Sequence, residues 1–488
     1  MGRVRRRPIL RNAAILAAGN LLDRVLGAVY RIALARTAGP EVLGLLQLCL
    51  PVLRFSVILG TLGIPMALAR VVAAERDGDG SASAVAWALR TVSLVSGCLA
   101  VFIAVAAPWG RIAFPDQRVV PLLRLAAPIV FCASLASVMH GVLQGLNRMW
   151  AIAGADFLGQ LGKLTLGLIL IGRAASAGSA AMAQAALAAL VVSEAVSCLL
   201  LLAVGRRSIR LSGPCSKMEH RLIGTSLPLM GEGLLFALAG TVDMGIIPRR
   251  LLQLGLAQRE ITVLLGQAWG MAWPTVFLPM MVIGPVATAV FPVMAKAAAE
   301  ADLGELRRRI FGCSSLILLV SIASAIIFSC FPVRFMTLLY ACPAAAPYLR
   351  SFAWAAPPVF LASAGAQILT ALGLSRQLFR FSLASVAVRV FLVYILTGQP
   401  RLGITGAALG VAGGNALLAV ACYSQIFVYL AKKDPRQSSG GGRRGAGRFF
   451  HWICAMALRA SSLGFPKIMR PAEVWRTLDT RTSRSTPI

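Results

Sequence analysis

The sequence predicts an all-α integral membrane protein, with about twelve transmembrane helices in two parallel six-helix lobes around a central cavity. Composition is the first reason: 58% of the 488 residues are hydrophobic and only 14% are charged, and the mean hydropathy is +0.78, far from a soluble globular chain. Spacing is the second. Apolar runs of about 20 residues or more recur along almost the whole length, each able to cross roughly 30 Å of hydrocarbon at 1.5 Å per residue. They are helices, because barrel strands would alternate over about ten residues. The third reason is an internal echo. Gly44 to Glu75, "GLLQLCLPVLRFSVILGTLGIPMALARVVAAE", resembles Gly266 to Glu300, "GQAWGMAWPTVFLPMMVIGPVATAVFPVMAKAAAE".

The first span, 12–35, follows a basic head whose apolar run continues well past signal-peptide length, so it reads as a retained helix. The second, 43–73, is broken by Pro51 and Pro65, which cannot bond the carbonyls four residues earlier. Spans 84–108, 119–142, 154–174 and 180–204 complete an N-terminal lobe over residues 1–204. Residues 205–221, "GRRSIRLSGPCSKMEHR", form the one polar, basic break that divides the spans six and six, and read as a cytoplasmic linker. The second lobe, 222–430, repeats the order with spans 222–249, 262–298, 308–331, 348–371, 378–397 and 403–430. Pro274, Pro279 and Pro285 break its second helix, and Pro357 answers Pro128 of the first lobe. Gln47 and Pro65 have the same separation as Gln267 and Pro285. Six spans per lobe make the repeats parallel, and matched discontinuous helices point to a substrate path with Pro51, Pro65, Pro274 and Pro285 as hinges. Plain kinking of packed helices is the alternative. Residues 431–488 read as a basic, partly disordered cytoplasmic tail.

A net charge of +30 suggests nucleic acid, but the basic residues sit at helix ends rather than on one soluble face, and about nine units lie in the tail. The positive-inside rule explains them better: connections assigned to the cytoplasm hold about twenty Lys and Arg, those outside about a dozen. Both termini are therefore expected in the cytoplasm of a multi-pass protein of the cytoplasmic membrane. The ten cysteines include no CxxC pair, and the three histidines lie far apart, so neither metal nor cofactor is expected. "FLGQLGKLTLG" misses the P-loop pattern at Phe157 and Leu164. Loops are too short for a soluble catalytic domain, and no paired-carboxylate or Ser/His arrangement marks an enzyme.

The charges inside spans carry the functional reading. Arg24 lies roughly 16 Å along its helix, and Arg31 follows at i+7 on the same face. Arg54 sits a turn beyond Pro51. Burying each against lipid would cost at least about 2.5 kcal/mol, whereas a hydrated cleft removes most of that penalty. The alternatives are that Asp23 pairs with an arginine and that Arg31 reaches headgroups. Arg249 and Arg250 close the seventh helix as cavity residues or headgroup anchors, and Gln47 lies on the broken second helix. Asp156, Lys163, Glu194, Glu232, Asp243 and Arg389 are further ionisable residues near or within spans. Asp23 and Asp243 occupy the first helix of each lobe and are the better coupling candidates.

"LDRVLGAVYRIALARTAGPEVLGLLQLCLPV", "GTLGIPMALARVVAAE", "GVLQGLNRM" and "IIPRRLLQLGL" resemble the stage V sporulation protein B branch of the polysaccharide biosynthesis family. That branch belongs to the multidrug/oligosaccharidyl-lipid/polysaccharide flippase superfamily, which includes lipid II flippases and MATE antiporters. The resemblance covers about Arg11 to Leu430 and implies two lobes around a V-shaped cavity open alternately to either side. Its lipid II flippases hold a pyrophosphate-linked headgroup with cavity arginines. Arg24 matches their "RVLG" arginine; Arg31 is displaced by one residue, with Tyr30 in the corresponding place, and Arg54 is also one residue off. Where relatives often carry an acidic residue in the fifth helix, this chain has Gly159 beside Gln160. Relatives also often continue into thirteenth and fourteenth helices.

The residues and the resemblance together lead to the expectation of a flippase for an undecaprenyl-pyrophosphate-linked cell-wall saccharide, acting as a monomer; the resemblance alone implies a role in spore cortex formation. Its substrate-binding residues would be Arg24, Arg31, Arg54, Gln47 and Arg249. The alternatives are a MATE-like exporter of cationic drugs, which an arginine-lined cleft would repel, and a membrane-embedded polysaccharide-assembly enzyme.

Overall fold

The computed structural model describes residues 6–74, 79–206, 216–300 and 302–433. Most of the expected linker and all of the tail beyond Lys433 lie outside the described residues. The rest is helix after helix, because a backbone crossing lipid must satisfy its own N–H and C=O groups. The first half contains α1 (Arg6–Thr61), α2 (Ile64–Ala74), α3 (Asp79–Ala106), α4 (Gly110–Ala113), α5 (Val119–Gly145), α6 (Met149–Ala174) and α7 (Ser179–Gly205). The second half begins with α8 (Ser216–Gln253), α9 (Gln258–Leu265), α10 (Trp273–Val276), α11 (Leu278–Ala299) and α12 (Leu303–Cys330). It ends with α13 (Pro332–Tyr340), α14 (Ala346–Ala353), α15 (Ala356–Ala371), α16 (Ser375–Thr397) and α17 (Ile404–Lys433).

Among the described residues, nine helices are long and apolar enough to cross a membrane, or ten if Pro343–Ala353 and Ala356–Ala371, bent by 52°, form one span. Among the described residues the expected twelve are not confirmed, and two features change how the expected spans divide. The first and second expected spans are continuous in α1 except at Gly39, whose φ of 78° and ψ of 178° leave the helical region. Glycine tolerates that φ, and Pro40 after it has no N–H to donate. The expected span 262–298 is divided into α9, a π-helical turn Gly266–Ala272, α10 and α11.

The hinge prolines fall differently from a simple reading of breaks. Pro51 lies inside α1. The break near Pro65 is at Leu62 and Gly63, both with positive φ, and Pro65 sits in the first turn of α2, where a missing N–H costs nothing. Pro274 likewise occupies the first turn of α10. Pro285 lies within α11, but its side chain is outside the described ones.

Three apolar cores show how the lobes are joined. One draws on Ile64, Val92, Met139 and Leu201 of the first lobe alone, and another on Met294, Ile310, Leu369 and Ile426 of the second alone. The third is shared, running from Leu34, Leu45 and Leu122 to Leu265, Phe352 and Ala408. Since successive helices alternate in direction, these shared residues lie toward one membrane face. The lobes are therefore fused at that face, called the closed face below, and keep separate cores toward the other. Among the described residues the two bundles thus share an apolar core at this apex, the closed face.

Candidate functional site

The space between the lobes is lined by long basic side chains from α1. Arg24, Arg31 and Arg54 are all exposed, and none forms an ion pair among the described residues. Arg31 lies within electrostatic reach of Arg54 on its own helix and of Tyr340 from the opposite lobe. The Tyr340 hydroxyl is 3.3 Å from Thr275 Oγ1 of α10, so Arg31 meets a polar spot on an otherwise apolar wall. Arg24 reaches across to α11: a Cβ built on Gly284 would lie 3.2 Å from Arg24 Nη1. The structure therefore brings Arg31 and Arg54 together and points Arg24 at the proline-containing helix of the second lobe. A cleft lined this way, with three guanidinium groups outside any ion pair among the described residues, suits a multivalent anion that accepts bidentate bonds.

Pro51 is half-buried and faces α8, where a Cβ on Gly240 would be 4.0 Å from its own. Gln47 is half-buried one turn earlier, and its counterpart Gln267 is buried in the π-helical turn. Arg249 is exposed near the end of α8. Its neighbour Arg250 is engaged instead, lying 4.4 Å from the Tyr394 ring centroid, donating to the Tyr394 carbonyl at 3.1 Å and to Gln253 Oε1 at 2.6 Å.

The two coupling candidates have unlike surroundings. Asp243 is 1% exposed and accepts from Arg389 Nε at 2.9 Å and Nη2 at 2.5 Å through one carboxylate oxygen. Its other oxygen is buried without a partner. Asp23 is half-buried, hydrogen-bonded to Gln160 and close to Arg24, Asp156 and Lys163. Around it α5, α6 and α7 add His140, 3.2 Å from Asp156, and Glu194, within reach of Lys163, Asp156, His140 and Asp23. Lys163 Nζ stands 5.3 Å from the Tyr30 ring centroid. Sequence reasoning had named several of these residues singly but not as a group, because they come from four helices. The one available signal was spacing: Asp156 precedes Gln160 by one turn on the same helix.

Residues 9–298 match the family described as Polysaccharide biosynthesis protein. Stage V sporulation protein B of Bacillus subtilis (strain 168) is 24% identical over 426 residues, covering 84% of this chain and 82% of that protein. Among solved structures, an inward-facing multidrug resistance MATE family transporter of the MOP superfamily is 16% identical with a TM-score of 0.70, covering 88% of this chain and 100% of that one. A MOP superfamily transporter from Pyrococcus furiosus Vc1 (DSM3638), described as having a binding pocket of reverse polarity, is 17% identical with a TM-score of 0.63, covering 86% and 96%.

Proposed function

Because the chain belongs to the polysaccharide biosynthesis protein family and is a multi-pass membrane transporter in fold, we propose that it flips a lipid-pyrophosphate-linked saccharide across the cytoplasmic membrane. The observation that carries this reading is the trio Arg24, Arg31 and Arg54, accessible between the lobes and without ion pairs among the described residues. A pyrophosphate presents several charged oxygens, which planar guanidinium groups bind in pairs. A cationic drug would meet repulsion at the same wall. The carrier lipid is of the undecaprenyl kind and the saccharide a peptidoglycan precursor. A role in spore cortex formation draws its support from the Bacillus subtilis relative. The cavity is built within one chain, so the working unit is a monomer, with both termini in the cytoplasm.

Coupling falls to Asp23 and the ionisable group around it, which holds three carboxylates against Lys163, Arg24 and His140 in a partly accessible place. Asp243 is already committed to Arg389. The test is a headgroup-accessibility assay in vesicles containing undecaprenyl-pyrophosphate-linked saccharide and the purified protein. Wild-type protein exposes the headgroup at both leaflets, and Arg24→Ala loses at least about tenfold in rate while inserting normally. Wild-type rates in Arg24→Ala, or transport of a cationic dye in place of the lipid, would overturn the reading.

A further inference from the structure

We infer that the closed face is held by a two-point electrostatic latch between the lobes, and that these named bonds must break before the cavity can open there. The latch goes beyond the transport reading, and its test needs no substrate.

The first point is a ring of five side chains with a sixth, Ser179, bonded to it. Thr262 Oγ1 of α9 donates to Asp116 Oδ2 at 3.0 Å. Asp116 accepts from Arg118 Nη2 at 2.8 Å and from the Arg118 backbone N–H at 3.0 Å. Arg118 also donates to Glu41 Oε1 at 2.6 Å and to Ser179 Oγ at 3.1 Å. Glu41 Oε2 accepts from Arg259 Nε and Nη2, both at 3.3 Å, which returns the ring to α9. Asp116, Arg118, Glu41 and Ser179 come from three connections of the first lobe, whereas Arg259 and Thr262 are neighbours on one face of α9. Two carboxylates thus stand at the N-terminal end of that helix, where the macrodipole favours negative charge.

The second point has the opposite sign. Arg36 of α1 donates to the Leu339 carbonyl at 2.9 Å and to the Leu338 carbonyl. These are among the last carbonyls of α13, which ends at the left-handed Ala341 with φ 51°. A cation therefore caps a helix C-terminus across the lobe boundary.

Between the two points the backbones touch. A Cβ on Gly44 would overlap the Thr262 carbonyl, and one on Gly266 would overlap the Pro40 carbonyl. This seam has no side-chain slack, so the lobes cannot slide apart by small rotamer changes; the latch is either made or broken.

The experiment is a spin-label distance measurement on the full chain in lipid nanodiscs, with native cysteines replaced. Labels go on Ser176→Cys and Gln399→Cys, exposed positions in loops of opposite lobes on the closed face and outside the latch. Wild type gives a dominant short distance. Arg36→Gln, which removes both bonds to the α13 carbonyls, and Thr262→Val, which removes the bond to Asp116, raise the long-distance population at least about fivefold apiece, and together more. Arg259→Gln, on the exposed arm of the ring, raises it less. Asp116→Asn tests the ring if Thr262→Val fails to fold. Unchanged distributions in the folded variants would overturn the latch while leaving the flippase reading untouched. Loss of transport with normal opening would do the reverse.

Discussion

Asp116 is 4% exposed, and its charge decides how the closed face responds to acid. Burial alone would push its carboxyl up, but hydrogen bonds from the Arg118 side chain and backbone, the Arg118 charge and the Thr262 hydroxyl outweigh it and hold it below the usual carboxylate range. A depressed carboxyl contributes stability that is present above its unfolded value of about 3.9 and is lost as pH falls through the folded value. The population of the closed face should therefore be flat with respect to Asp116 from neutral pH down to about 4 and should fall below it. Glu41, Arg118 and Arg259 face the same site, so the check is a pair of titrations, wild type and Asp116→Asn, followed by the label distance. A variant curve with an unaltered acid limb would remove Asp116 from the account. At this scale part of the proposed site was legible in the sequence. Arg24 and Arg31 form a stripe because seven residues make nearly two turns, and the depth of Arg24 follows from helix rise. The Asp243 partner was hidden, since Arg389 lies 146 positions away and nothing in a hydrophobic run says which other run will cover it.

The pair of α8 with α16 is the clearest case of one element fixing another through charge. Removing Arg389 leaves a buried, unpaired carboxylate, so Arg389→Ala should cost about 3–5 kcal/mol, whereas the double change Asp243→Asn with Arg389→Met should cost far less. Thermal unfolding of the two proteins in the same detergent checks this; equal losses would mean that packing, not charge, joins the helices there. Gly414 lets α17 approach at the same level, because a Cβ on it would press on the Arg389 backbone. Helix existence was legible wherever an apolar run was long, since lipid leaves the backbone no other choice. Helix breaks were not. Pro65 marked a break that actually lies at Leu62 and Gly63, because proline is tolerated in a first turn. The short helix α13 fell between the ninth and tenth expected spans, being too brief to register as one, yet its last carbonyls hold Arg36.

For the whole molecule, the arrangement from α1 to α17 contains both lobes, all three apolar cores and both points of the latch. A chain truncated after Asp434 should therefore insert normally and keep at least about half of its flipping rate, losing at most a salt-screened attraction to anionic lipid. Headgroup accessibility in vesicles, compared at equal protein density, measures this; a stable but inactive truncation would place part of the machinery in residues 435–488. The two-lobe plan was readable because the halves echo each other, but the fused apex was not, since shared burial across lobes leaves no periodic trace. The π-helical turn Gly266–Ala272 carries one further consequence. An α-helix advances about 100° per residue, and a π turn accommodates an extra residue without lengthening the rod in proportion. Deleting one residue there would swing α9 by about a quarter turn relative to α10, carrying Arg259 and Thr262 away from Glu41 and Asp116 while Thr275 kept its place beside Tyr340. The spare residue sets the phase between the clasp at one end of this helix and the cavity wall at the other, so the length of this segment is constrained even where its side chains are not.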